Sequence, residues 1–165
     1  MAPVKPDPVQ PGQESVWDYP RPPRVEPSSE TVEVRLGGEV VARSTATYRV
    51  QETSHPPTYY LPVSAFVDGV LRSVEGTTFC EWKGQASYYD LVAGGRTAAR
   101  AGWTYPTPSR GFEVMVNHVA VMPGLVDECT VDGERVVAQP GGFYGGWITS
   151  RVAGPFKGGP GSWGW

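Results

Sequence analysis

Cysteine is nearly absent: Cys80 and Cys129 are the only two thiols in 165 residues. Two are too few for a disulfide framework, so a reducing, cytoplasmic setting is expected. Positive charge is not in excess either, with 14 Lys and Arg against 17 Asp and Glu and a formal charge of −3. Nothing in that balance favours a nucleic-acid partner or an anionic membrane surface. No apolar run approaches the roughly 18 residues of a membrane helix, and no basic segment followed by an apolar one marks a secretory signal. Heptads, internal repeats and amphipathic helices longer than two turns are missing, which argues against a helical fold. The two histidines and two cysteines show no CxxC or HxxxH spacing, so neither a metal nor a cofactor is expected. The pairs Gly141-Gly142, Gly145-Gly146 and Gly158-Gly159 do not lie between a strand and a helix, which excludes a phosphate loop there.

What is abundant is glycine (21), proline (17), tyrosine (8) and tryptophan (6). Proline fixes φ and lacks a donor, so residues 1–21 read as a Pro-rich arm that wraps the domain from Trp17 onward. Residues 22–140 alternate like strands. Val32, Val34 and Leu36 share one face, Gly37-Gly38 turns the chain, and Val40-Val41-Ala42 returns. Asp132-Gly133 is a second strong hairpin signal, and Pro62 to Phe66 has room for one helical turn. Residues 141–165 combine glycine with large aromatics and are expected to lie along the surface, aromatics in grooves. The predicted fold is a mainly β single domain, either a β-barrel or two packed antiparallel sheets, with wrapped ends.

Two stretches concentrate the chemistry: Glu52 to Pro62, and Phe79-Cys80-Glu81-Trp82-Lys83-Gly84. On a strand from Thr47, Glu52 shares the face of Tyr48 and Val50, and an inward carboxylate at a strand end is costly unless paired. Glu52 and His55 therefore form a candidate acid–base pair, with a structural ion pair as the plainer account. Cys80 is a nucleophile only beside a cation such as Lys83, and otherwise a small buried hydrophobe. Strand parity puts Cys80 and Trp82 on one face and Glu81 and Lys83 on the other, so Lys83 is the better functional candidate, free to meet Glu52. Tyr60, Trp82, Tyr88 and Trp103 complete a set able to wall a small-molecule pocket or simply to pack a sheet.

The strings Glu52-Thr53-Ser54-His55-Pro56-Pro57-Thr58-Tyr59-Tyr60-Leu61-Pro62, Cys80-Glu81-Trp82-Lys83-Gly84-Gln85-Ala86-Ser87-Tyr88-Tyr89 and Trp103-Thr104-Tyr105-Pro106 resemble domain-of-unknown-function family 427. That family is sometimes labelled nucleotidyltransferase, and the resemblance implies a compact β-rich domain. The clustered metal-binding carboxylates of polymerase-type transferases are not visible here, so the label is set aside. Three functions stay open: a small polar or aromatic ligand bound near Glu52 and Lys83; an enzyme with Glu52 as general base and Lys83 or Cys80 as nucleophile; or a protein-interaction module using the terminal segments.

Overall fold

The computed structural model describes residues 3–165. In chain order its strands are β1 (Glu14–Ser15), β2 (Arg24–Ser28), β3 (Val32–Leu36), β4 (Glu39–Ser44), β5 (Thr47–Gln51), β6 (Thr58–Pro62), β7 (Leu71–Cys80) and β8 (Gly84–Ala93). They continue with β9 (Arg96–Thr104), β10 (His118–Val121), β11 (Glu128–Val131), β12 (Glu134–Arg135), β13 (Val137–Ala138), β14 (Trp147–Ile148) and β15 (Val152–Ala153). The only helical pieces among the described residues are four single 3₁₀ turns, one of them at Val63–Ala65 as the sequence suggested. No helix there is long and apolar enough to cross a membrane.

Seven strands form one antiparallel sheet in the order β2-β5-β6-β10-β9-β8-β7, and four form a second, β12-β11-β3-β4. Neither closes, so of the two predicted architectures the packed sheets are found and the barrel is not. The outer strands β2 and β7 each pair on one side only. Pro27 removes a donor from β2, and β7 keeps most of its side chains in solvent, so neither edge offers a closing surface. The expected turns are present: Gly37 and Gly38 both have positive φ, as do Asp132 and Gly133, which matches the twist of a two-residue hairpin.

The main core lies between the sheets. Val32, Val34, Leu36 and Val131 of the small sheet meet Tyr59, Leu61, Val119 and Val121 of the large one. Trp147 completes it: fully buried, it donates its indole N–H to the Val121 carbonyl at 3.0 Å and packs on the Tyr59 ring at 5.0 Å. The tail, expected along the surface with its aromatics in grooves, thus sends one aromatic between the sheets. A Trp brings the largest apolar area of any side chain, and here its one donor finds a buried acceptor.

The other face of the large sheet carries a second core. The registers Pro27↔Tyr48, Tyr48↔Tyr60, Tyr60↔Ala120, Ala120↔Trp103, Trp103↔Tyr88 and Tyr88↔Val74 define one row across all seven strands. Direct cross-strand neighbours point to the same face, so four aromatic rings line up there. Phe112 and Met115, from the segment after β9, cover part of the row.

The ends grip this frame. β1 pairs in parallel with β15, and a third cluster of Val16, Tyr19 and Val152 joins arm to tail. Arg49, mostly buried, holds Glu14 at 2.6 Å and Glu26 at 3.2 Å, while Arg151 holds Glu30 and, at 2.6 Å, Asp132. All of these ions except Asp132 line an open cavity of about 380 Å³ between arm and sheet.

Candidate functional site

β5 ends at Gln51, and the chain turns through Glu52-Thr53-Ser54-His55 before β6. The turn closes with the His55 N–H donated to the Glu52 carbonyl at 3.0 Å, and Ser54 adopts φ 71°. Both ends of the chain hold it there. The Ser54 N–H donates to Val16 and its carbonyl accepts from the Lys157 N–H, while Arg21 donates to the Thr53 carbonyl. Such over-determination is what a non-glycine residue at positive φ requires.

His55 is the best-defined group of the turn. Its Nε2 lies 3.6 Å from Glu52 Oε2 and its Nδ1 lies 3.0 Å from Gln139 Nε2. Gln139 has no rotational choice: its Oε1 accepts from the Gly146 N–H at 3.1 Å, so its Nε2 is the donor, to the Lys157 carbonyl and to His55. His55 Nδ1 is therefore the acceptor, and the ring proton sits on Nε2, facing Glu52. Burial first, then the cations Lys157, Arg21 and Lys83, lowers the imidazole to about 4. At neutral pH the ring is uncharged, with Nε2–H turned toward the Glu52 carboxylate 3.6 Å away, beyond hydrogen-bond distance.

The second stretch behaves differently from its parity. β7 ends at Cys80, which pairs with Gly84, and Glu81-Trp82-Lys83 form the connecting turn. Gly84 enters β8 with φ 108°, which only glycine adopts readily, and a Cβ there would press on Thr107 and Ser109 at 3.2 Å. The alternation of an extended strand does not run through a turn, so the predicted division holds for Cys80, Trp82 and the exposed Glu81 but fails for Lys83. Cys80 and Trp82 pack against the second core, and the Lys83 ammonium lies 5.7 Å over the ring of Tyr105 in that same core. The Lys83 carbonyl accepts from the Ser109 N–H at 2.9 Å, tying the turn to the segment that covers the aromatic row.

The floor is the row itself. Tyr60 is fully buried and accepts from the Trp103 indole N–H at 3.3 Å. Tyr88 bonds Thr78 at 2.6 Å and carries the Arg100 guanidinium 4.2 Å over its ring. Burial pushes the Tyr60 phenol up, with Cys80 and Glu52 acting in the same direction, and burial likewise raises Tyr105. Both phenols stay protonated, as neutral hydrogen-bonding groups.

Of the predicted residues, Tyr60, Cys80, Trp82, Tyr88 and Trp103 thus join one cluster, with Lys83 over its Tyr105. Glu52 and His55 stand at its edge as a pair. One predicted contact is not made: among the described residues Lys83 forms no ion pair, and the partner of Glu52 is His55. The turn before two prolines brings the imidazole back over the carboxylate, which leaves Lys83 to the aromatic face. None of these residues lines the arm cavity or a second one in the tail. Among the described residues no three His, Cys, Asp or Glu gather in a way that could hold a metal ion.

Sequence reasoning missed Tyr105, Gln139 and Tyr144, whose ring meets that of His55 edge-on at 4.9 Å. Tyr105 stands beside Trp103 in an aromatic–proline string and was open to detection. Gln139 lies in a Pro/Gly-rich segment with no local signal. Comparison with known proteins gives one family: the sequence profile described as a domain of unknown function (DUF427) matches residues 24–132. No curated protein matches the chain.

Proposed function

The chain belongs to the DUF427 family of domains of unknown function, and from that premise we propose that its aromatic face binds a small ligand with a planar ring and an anionic group. One observation carries this reading. Lys83 stands over Tyr105 with no carboxylate of its own, at the margin of a floor made by Tyr60, Trp82, Tyr88 and Trp103. A lysine so placed offers three donors to an anion, and the half-buried Trp82, Tyr88 and Trp103 rings offer stacking surface beside the buried Tyr60. Glu52, 3.6 Å from the neutral His55, accepts a hydrogen bond from the ligand's donor group. In this reading Cys80 is part of the floor. A reducing, cytoplasmic location agrees with Cys80 and Cys129 being free and lying in different clusters.

A thermal-shift screen of small aromatic acids tests the proposal. A ligand present at a hundred times its Kd stabilises by about 2.7 kcal/mol, which is a rise of roughly 5–10 °C for a domain of this size. The rise should vanish in Lys83→Met and shrink in Glu52→Gln. Hits that stabilise wild type and both variants equally would place the ligand elsewhere and sink the reading.

A further inference from the structure

The tail forms a cleft of about 540 Å³ whose walls are apolar and aromatic: Pro140, Phe143, Tyr144, Pro160 and Trp163. Its one charged side chain, Lys157, already donates to the main-chain oxygen of Trp165 at 3.1 Å and lies 5.9 Å over the Tyr144 ring. The cleft therefore selects by shape and not by charge. Phe143 and Trp163 are 81% and 88% exposed, a costly way to keep two large rings unless something covers them. At that exposure the Trp163 indole N–H is open to an outside acceptor. The frame beneath is fixed: a Cβ on Gly141 would lie 2.4 Å from the Gly158 oxygen, and the Gly158 N–H donates to Ser162 Oγ at 2.9 Å. A cleft held in this way loses little entropy when it is filled.

The chain itself carries a segment of matching chemistry. Residues 3–11 read Pro3-Val4-Lys5-Pro6-Asp7-Pro8-Val9-Gln10-Pro11, two Pro-x-x-Pro runs on either side of Asp7. Proline fixes its own φ and pushes the residue before it toward extended backbone, so all but Val4 and Val9 are held near polyproline II before any partner is met. The prolines supply carbonyl acceptors and no N–H, and Lys5 and Asp7 cancel in charge. All of these residues except Val4 are exposed, and none belongs to a strand or helix. Among the described residues one hydrogen bond ties them to anything beyond the arm, from the Asp7 N–H to the Gly154 carbonyl at 2.8 Å. None of them lines the cleft of its own copy.

We propose that the cleft docks residues 3–11 of a second copy of this chain as a polyproline II helix. Prolines lie on the Phe143 and Trp163 rings, and a main-chain carbonyl accepts from the Trp163 indole. Aromatic-lined grooves take such segments well because the helix is preformed and little ordering is left to do. Arm and cleft are different surfaces of one chain, so each copy both gives and receives, and association grows with concentration. The inference goes beyond the aromatic-face reading and does not depend on it.

The test follows the full chain by sedimentation at rising concentration. A blocked peptide reproducing residues 3–11 is added in titration calorimetry and in amide and indole chemical-shift mapping. Copies should associate as concentration rises, the peptide should compete with that association, and its shifts should centre on residues 140–163 and the Trp163 indole. A peptide with alanine in place of its prolines should bind at least about tenfold more weakly, having lost the preformed helix. Trp163→Ala should weaken both peptide binding and self-association by about tenfold, the worth of one stacked ring. A side chain so exposed can be removed without touching the core. The two sites separate by a crossed comparison: Trp163→Ala should keep the thermal rise given by aromatic acids, and Lys83→Met should keep the peptide. Loss of the peptide in Lys83→Met, or shifts centred on Trp82, Tyr88 and Trp103, would put it on the aromatic face and overturn the inference. Equal affinity for the alanine peptide, or self-association untouched by Trp163→Ala, would do the same. So would a chain that stays monomeric at millimolar concentration, even with the peptide bound, because the cleft would then serve a foreign proline-rich segment.

Discussion

His55 supplies the sharpest test of the site, because burial and the carboxylate act on it in opposite directions. If burial and the surrounding cations Lys157, Arg21 and Lys83 prevail, the folded imidazole titrates near 4, against an ordinary value of 6.5. A group lowered on folding stabilises fully above its unfolded pKa, and that contribution is lost as pH falls through the window from 6.5 to 4. The full span is about 3 kcal/mol, and about 2 kcal/mol of it is gone by about pH 5, where the unfolded chain has taken up the proton and the folded one has not. The conversion is fair for a side chain only 14% exposed. Acid also weakens the native state through Glu14, whose carboxyl is held low by Arg49 against the opposing effect of its own burial. The measurement is therefore a difference: urea unfolding of wild type and His55→Gln at neutral pH and at about pH 5. Wild type should lose about 2 kcal/mol more than the variant between the two. Nitrogen-detected NMR should show the Nε2–H tautomer in the same window. Equal losses, or an imidazole that titrates at or above 6.5, would mean that the Glu52 carboxylate wins and that His55 is a cation at the site.

Further outcomes concern the tail and its contacts. Trp147→Ala removes a buried indole and orphans the Val121 carbonyl, so it should cost about 3–5 kcal/mol and roughly 6–20 °C in Tm; a loss under about 1 kcal/mol would show that the tail does not complete the core. Truncation after Gly142 should then unfold the domain by circular dichroism, although it spares every residue of the family match. Gly145→Ala would bring a Cβ to 2.1 Å from the Trp103 ring, shifting the indole that bonds Tyr60. It should cost about 1–3 kcal/mol and weaken any ligand of the aromatic face, read by Tm and by titration.

The sequence by itself determined the secondary-structure class. Alternation from Val32 to Leu36, the paired turn residues at 37–38 and 132–133, and the lack of helical periodicity are short-range signals, written within a few residues of where they act. It also named the chemistry, because Glu52, His55, Cys80 and Lys83 are uncommon groups amid an aromatic sequence. What only the tertiary structure decided is which of them meet. Tyr48, Tyr60, Trp103 and Tyr88 share one row because of registers between strands far apart in the chain, and a slip of one residue in any pairing would turn a ring to the other face. Lys83 joined Cys80 on that side because three residues turn where parity assumes an extended strand. Gln139, 84 residues from His55, selects its tautomer, and Trp147 fills the core from a Gly-rich segment expected to lie along the surface. These are long-range contacts made by docking, and no local pattern encodes where a docked segment lands.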